Sequence, residues 1–202
     1  MIRINNKHLQ VIKMRIFISG GCKSGKSIYA QRLAKSQNAD LLYYIATMNA
    51  ADGEDQERII KHQAERAGWG FITQEQPCNI ANILTSCNRQ GSFLLDSLTA
   101  LLANEMFPPA GEVDENAPQR VATELTLVLQ QIERIVIVSD YIYADALLFD
   151  PLTTLYRQSL AELDRVAAQY CDVVLEAAYT QVIVHKGADI FSQVQEVANE
   201  IS

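Results

Sequence analysis

Cysteine is scarce in this chain and badly spaced for pairing. The 202 residues hold four, Cys22, Cys78, Cys87 and Cys171, and no two form a C-x-x-C pair. That argues against a disulfide framework or a thiolate zinc site and favours a reduced, cytoplasmic setting. No apolar run reaches the ~20 residues that a helical bilayer span needs. The opening Met1-Ile2-Arg3-Ile4-Asn5-Asn6-Lys7-His8 lacks the apolar stretch of a secretory signal. Positive charge is in deficit: 17 Lys and Arg stand against 24 Asp and Glu, a formal net charge of -7. A nucleic-acid-binding surface is therefore not expected as the main role. Internal repeats and low-complexity linkers are absent too. What remains is the composition of a soluble globular chain, long enough for one domain with a full core. Met14 stands directly before the first strand-like run, so residues 1–13 read as an appendage and 14–202 as a single domain.

Against these absences one stretch stands out. Gly20-Gly21-Cys22-Lys23-Ser24-Gly25-Lys26-Ser27 fits the phosphate-binding pattern G-x-x-x-x-G-K-[ST] at every fixed position. Arg15 to Ser19 before it reads as a buried strand. Ile28 to Lys35 after it reads as a helix with Ala30, Leu33 and Ala34 on one side. Strand, glycine-rich turn and helix N-terminus make an anion site, because free N–H groups and the helix dipole face the phosphates. In that pattern Lys26 reaches the terminal phosphates and the Ser27 hydroxyl ligates magnesium. Cys22 lies inside the loop, where backbone N–H groups favour a thiolate; a small loop filler is the plainer expectation for it.

Strand-like runs alternate with helical patterns along the rest of the chain. Leu41–Ala46, Gly70–Thr73, Ser92–Asp96, Ile135–Val138, Val173–Leu175 and Gln181–Val184 read as strands. Helices are expected over Glu57–Ala67, Ile80–Cys87, Leu98–Met106, the face Val121 to Ile132, from Pro151 to Tyr170, and Val194–Ile201. Such alternation predicts an α/β fold, a mostly parallel central sheet flanked by helices on both faces.

Three further groups carry chemistry. Asp96 ends an apolar strand, where phosphate-loop enzymes place an acid that helps hold magnesium; it also stands where a helix N-cap is expected, before Ser97-Leu98-Thr99. Asp52, Glu54, Asp55 and Glu57 precede the charged helix and complement its dipole. Arg58, His62 and Arg66 recur at helical spacing on one face. Two guanidiniums there would bind phosphate and keep the imidazole neutral, and a neutral imidazole can attack phosphorus. A solvated charged face accounts for the same spacing.

These motifs in order resemble the bifunctional adenosylcobinamide kinase / adenosylcobinamide-phosphate guanylyltransferase family of cobalamin biosynthesis. The phosphate loop resembles its GG-[AC]-[RK]-SGKS, Tyr44-Ile45-Ala46-Thr47 its YIAT, and Arg58-Ile59 with His62 and Arg66 its R-I-x-x-H-x-x-x-R. Trp69, Thr73, Glu75 and Pro77 resemble its W-x-T-x-E-x-P read loosely, with slack between the first two. Leu95-Asp96-Ser97-Leu98-Thr99 with Leu102 and Asn104 follows its LD-x-LT-x-x-L-x-N. The likeness covers residues 14–107 best. It implies a RecA-like phosphate-loop fold that uses ATP, GTP and Mg2+. Adenosylcobinamide, a corrinoid, is phosphorylated, and GMP then passes from GTP to the product through a guanylylated histidine, here His62. It places Ala46, Thr47, Arg58, Arg66, Glu75 and Asp96 with the phosphate loop around the nucleotide, Ser27 and Asp96 at the metal, and Lys26 and His62 at the chemistry. It also implies a homotrimer. The second half departs from the pattern: Ser139-Asp140-Tyr141-Ile142 replaces N-E-V-G, an apolar loop from Tyr143 to Phe149 follows, and Asp164-Arg165 replaces N-Q. A phosphate-loop kinase or NTPase without the guanylyl step is the alternative.

Overall fold

The computed structural model describes residues 13–37, 39–49, 60, 64, 66–109, 111–179 and 181–200. Among these residues seven strands form one sheet, in the order β3-β2-β4-β5-β1-β6-β7. The strands are β1 (Arg15–Gly20), β2 (Leu42–Ala46), β3 (Phe71–Glu75), β4 (Ser92–Asp96), β5 (Ile135–Asp140), β6 (Val173–Ala178) and β7 (Gln181–Lys186). Neighbours from β3 to β6 run parallel, and β7 turns back antiparallel on β6. The helices are α1 (Lys26–Ser36), α2 (Ile83–Ser86, entered through a 3-10 turn at Ile80–Asn82), α3 (Leu98–Met106), α4 (Ala117–Gln131), α5 (Pro151–Tyr170) and α6 (Ala188–Glu200).

The central strands are apolar through their middles because both of their faces are covered. Phe17, Ile45, Phe93, Leu95, Ile135 and Ile137 point into a layer built from α3, α4 and α5, whose Leu101, Leu125, Val128, Leu160 and Leu163 are buried against them. Ile16, Ile18, Leu94, Val136 and Val138 point the other way, onto Ala30, Leu33 and Ala34 of α1 and Phe191, Val194 and Ala198 of α6. Met14 is 4% exposed and belongs to this second layer. Two helix starts are marked by side chains: Ser97 Oγ accepts from Ala100 N at the head of α3, and Asp150 accepts from the N–H groups of Leu152 and Thr153 at the head of α5. None of the described helices is long and apolar enough to cross a membrane.

The α/β architecture and its parallel sheet agree with the sequence; several boundaries move. Strand β5 runs on through Ser139 and Asp140 because its ladder with β1 continues to Gly20 regardless of side-chain polarity. Strands β6 and β7 lengthen into a hairpin. Helix α6 begins at Ala188 rather than Val194: Gly187, at φ 78, turns the chain, Asp189 lies in the first turn and Phe191 starts the buried stripe. The segment expected as helix to Ala67 is a turn from Arg66 to Gly70, with helix recorded at Ile60 and Ala64. The rest of that segment lies outside the described residues.

Parallel order puts the carboxyl ends of β3, β2, β4, β5 and β1 on one edge, so that Glu75, Ala46, Asp96, Asp140 and Gly20 end neighbouring strands. Ala46 is level with both Glu75 and Asp96, and Gly20 with Asp140. Gly20 is needed there for close approach: a Cβ on it would meet Ala177 O at 2.5 Å and Ser24 Oγ at 2.9 Å, whereas one on Gly21 would meet nothing within 4 Å. Gly20→Ala should therefore lose about 1–3 kcal/mol of stability in urea unfolding, and Gly21→Ala should stay within about 0.5 kcal/mol of the natural chain.

Candidate active site at the carboxyl edge of the sheet

Residues 20 to 27 form the expected strand–loop–helix turn. Gly25 caps α1 at φ 87, and Lys23 also takes a left-handed conformation at φ 59. Tyr29 N donates to Gly25 O at 3.2 Å and Ser24 N to Gly21 O at 3.3 Å. Lys26 is the first residue of the helix, and its side chain is 7% exposed. The ammonium donates to Gly21 O at 3.1 Å and to Asp140 Oδ1 at 2.5 Å. The loop is thus closed by its own lysine, which is also paired with an acid from β5. Ser27 is half-buried. Cys22 is exposed, so it fills no gap in the loop.

Asp96 ends β4 two strands from the loop, with β5 between. It does not cap α3, since Ser97 does; the cap expected at Asp96 is displaced by one residue. Its Oδ2 instead accepts from Tyr44 Oη at 2.9 Å. Thr47 ties the ends of β2 and β4 together: its Oγ1 donates to Ser97 O at 2.8 Å and accepts from Ser97 N at 2.7 Å. Asn104 of α3 reaches over with Nδ2 to Thr47 O at 2.6 Å and Pro77 O at 3.1 Å. These bonds hold Ala46, Thr47, Asp96 and Ser97 as one rigid lip.

Arg66 is buried, 7% exposed, with its guanidinium 4.0 Å from the Tyr44 ring centre and 3.4 Å from Thr73 Oγ1. Arg66, Tyr44, Ala46, Glu75, Asp96 and Ser97 line a small cleft of about 50 Å³. Sequence spacing set Arg66 on one helical face with Arg58 and His62, suited either to phosphate or to solvent; in the structure it is a turn residue stacked on an aromatic ring. Arg58 and His62, and the acids Asp52, Glu54, Asp55 and Glu57, lie outside the described residues. Tyr44, which touches both Asp96 and Arg66, stood in the sequence only as part of a strand motif.

A second acid sits behind Asp140. Asp164 of α5 is 4% exposed and accepts from Tyr143 Oη at 2.7 Å. Burial pushes the Asp164 carboxyl up to about 6, and the nearby Asp140 charge adds to the rise. Burial and Asp140 likewise push the Tyr156 phenol up to about 12.

A glycine loop closed by a helix-initial lysine, on a parallel sheet whose next strands end in acids, defines a phosphate-loop nucleotide-binding protein of the RecA-like α/β class. The solved structure of an ATPase from the type III secretion system of pathogenic bacteria has this fold, with a TM-score of 0.55 at 12% identity over 92% of this chain and 61% of that one. A chain from Pyrococcus horikoshii OT3 aligns over 89% of this chain and 90% of its own, with 9% identity and a TM-score of 0.48. The profile of the cobinamide kinase / cobinamide phosphate guanyltransferase family (CobU) matches residues 16–182. The bifunctional adenosylcobalamin biosynthesis protein CobP of Pseudomonas aeruginosa is 35% identical over 167 residues, 80% of this chain and 91% of that protein. The chain belongs to the cobinamide kinase / cobinamide phosphate guanyltransferase family, and is a transferase of cobalamin biosynthesis.

Asp164 makes a testable contribution to stability. Its folded carboxyl keeps a proton up to about pH 6, whereas an unfolded one loses it near pH 4. Between those values the folded state binds more protons, so stability falls as pH rises through the window, by up to about 3 kcal/mol. Asp164→Asn, which cannot ionise, should match the natural chain at pH 4 and exceed it in melting temperature at pH 7. Parallel melting curves across that range check this.

Proposed function

We propose that this protein phosphorylates the aminopropanol hydroxyl of adenosylcobinamide and then transfers GMP from GTP to that phosphate through a guanylylated His62. The observation that carries the reading is a family match spanning residues 16–182, a range that takes in both the phosphate loop and the Arg58–His62–Arg66 segment. Residues 14–202 work as one kinase and nucleotidyltransferase domain. Gly20 to Ser27 hold the triphosphate of ATP or GTP through backbone N–H groups. Ala46, Thr47, Glu75 and Asp96 bound the nucleotide along the neighbouring strand ends with Arg66 beside them, and the family motif adds Arg58 and His62.

Lys26 follows negative charge onto the transferred phosphoryl group and its leaving oxygen. In the second reaction a neutral His62 nitrogen attacks the α-phosphorus of GTP. A phosphorus–nitrogen bond forms, the bond to pyrophosphate breaks, and the arginines steady the developing charge. A phosphate oxygen of cobinamide phosphate then attacks the same phosphorus and releases His62. Ser27 and Asp96 offer hydroxyl and carboxylate oxygens, the hard donors that Mg2+ takes while keeping several waters. When bound there, Mg2+ supplies charge neutralisation between the phosphates.

The free state of all four cysteines supports a cytoplasmic setting. A homotrimer is supported by the segment after β5, where Leu147, Leu148 and Phe149 are 69%, 101% and 40% exposed. Arg157 braces that segment, donating to Ile142 O at 2.9 Å and to Asp145 Oδ1 at 2.9 Å while lying 4.1 Å from the Phe149 ring centre. A held apolar surface of this kind is suited to burial against another copy.

The natural chain should take up label from α-labelled GTP and none from γ-labelled GTP, in a bond that acid cleaves and alkali spares. His62→Ala should take up none yet still phosphorylate cobinamide. Equal uptake by both chains sinks the role of His62. No uptake by the natural chain, with phosphorylation intact, favours a kinase without the guanylyl step. Light scattering should give a trimer mass, and Leu148→Asp should lower it; a monomer at all concentrations contradicts the assembly.

A further inference from the structure

We propose that Asp140 is the catalytic residue that takes the proton from the acceptor hydroxyl in the kinase step, and that Lys26 holds it until a triphosphate arrives. This rests on the kinase activity proposed above. Asp140 is the last residue of β5 and lies level with Gly20, where the phosphate loop begins. Its carboxylate is at the loop's mouth, 2.5 Å from the Lys26 ammonium. The pair is sheltered, at 7% side-chain exposure for the lysine and 29% for the acid. The acid is therefore the one that opens toward solvent, the side from which an acceptor must come.

The support of Asp140 is stiff. Its backbone N–H is fixed by Thr99 Oγ1 at 2.9 Å, and Thr99 O is held by Tyr156 Oη at 2.9 Å. Of the other acids near the loop, Asp96 already accepts from Tyr44, and Asp164 is enclosed with Tyr143. When a triphosphate enters, its oxygens outcompete a single carboxylate for Lys26, since several negative charges then surround the ammonium. Asp140 is left beside the phosphates without its counter-charge. The carboxylate oxygen that Lys26 held is then open to accept a hydroxyl proton, and only when the phosphoryl donor is in place.

The step balances simply. The acceptor O–H proton passes to the Asp140 carboxylate while the acceptor oxygen bonds to the γ-phosphorus. The bond from that phosphorus to the bridging oxygen breaks, and the nucleoside diphosphate leaves with the electron pair. Asp140 then gives its proton to solvent. Guanylylation of His62 involves no acceptor hydroxyl and so does not call on this proton transfer.

The test compares the full-length natural chain with Asp140→Asn and Asp140→Glu. Affinity is measured by calorimetry with a non-hydrolysable GTP analogue, kinase turnover with γ-labelled triphosphate and cobinamide, and histidine labelling with α-labelled GTP. Asp140→Asn should bind the analogue at least as tightly as the natural chain, because its Lys26 has no ion pair to give up. Its kinase turnover should fall at least about 100-fold, its histidine labelling far less, and Asp140→Glu should recover part of the turnover. Turnover within threefold of the natural chain overturns the proposal. So does a tenfold loss of analogue affinity in Asp140→Asn, which would make Asp140 only a support for the loop. If the natural chain fails to phosphorylate cobinamide, the substrate reading fails by itself. The analogue titration then still decides the hand-off, which weaker binding by Asp140→Asn overturns.

Discussion

The parallel pairing of β1 with β5 is the constraint on which the site depends. It brings Gly20 level with Asp140, and so sets an acid beside the helix that begins with Lys26. The neighbouring pairing of β5 with β4 adds Asp96 to the same edge. Each strand is buried on both faces, so slipping one against another would expose an apolar row on each side. The positions of the charged groups are therefore fixed by the packing of uncharged ones. Ile16, Phe17 and Ile18, all at most 4% exposed, anchor the strand that leads into the loop.

Charge sits unusually deep at this edge. The Lys26 ammonium, the Arg66 guanidinium and the Asp164 carboxyl each belong to residues under a tenth exposed. Each has a different remedy for lost water. Lys26 has a carbonyl and a carboxylate, Arg66 has the face of an aromatic ring, and Asp164 keeps a proton into the weakly acid range. The first remedy is reversible, since an ion pair can be traded for another anion. The other two are not readily exchanged: Arg66 belongs to the fixed wall of the cleft, and Asp164 to the packing behind Asp140.

How legible a feature was in the sequence followed its distance along the chain. The phosphate loop is eight consecutive residues, and the strand before it and helix after it are local patterns, so all three were readable. The acid at Asp96 was readable as a strand end. Its cap role was not separable from that of Ser97, because the two are adjacent and only backbone geometry assigns the cap. The contact between Lys26 and Asp140 joins residues 114 apart, and only strand order, which no local pattern carries, brings them together. Arg66 shows the opposite case: its helical spacing with Arg58 and His62 is plain in the sequence, but the residue itself stands in a turn. Asp164 lies on the buried stripe of α5 between Leu160 and Ala167, where nothing in the sequence indicates the Tyr143 hydroxyl that meets it.

Tyr44 joins two parts of the cleft that chemistry would treat separately. Its hydroxyl donates to Asp96, and the face of its ring carries Arg66. The ring is a shared part, like a spacer between two bearings. A change of residue at 44 that adjusts one end must also disturb the other. Drift at this position is therefore hard to compensate one mutation at a time, and sequences descended from this one should change Tyr44, Arg66 and Asp96 together or not at all.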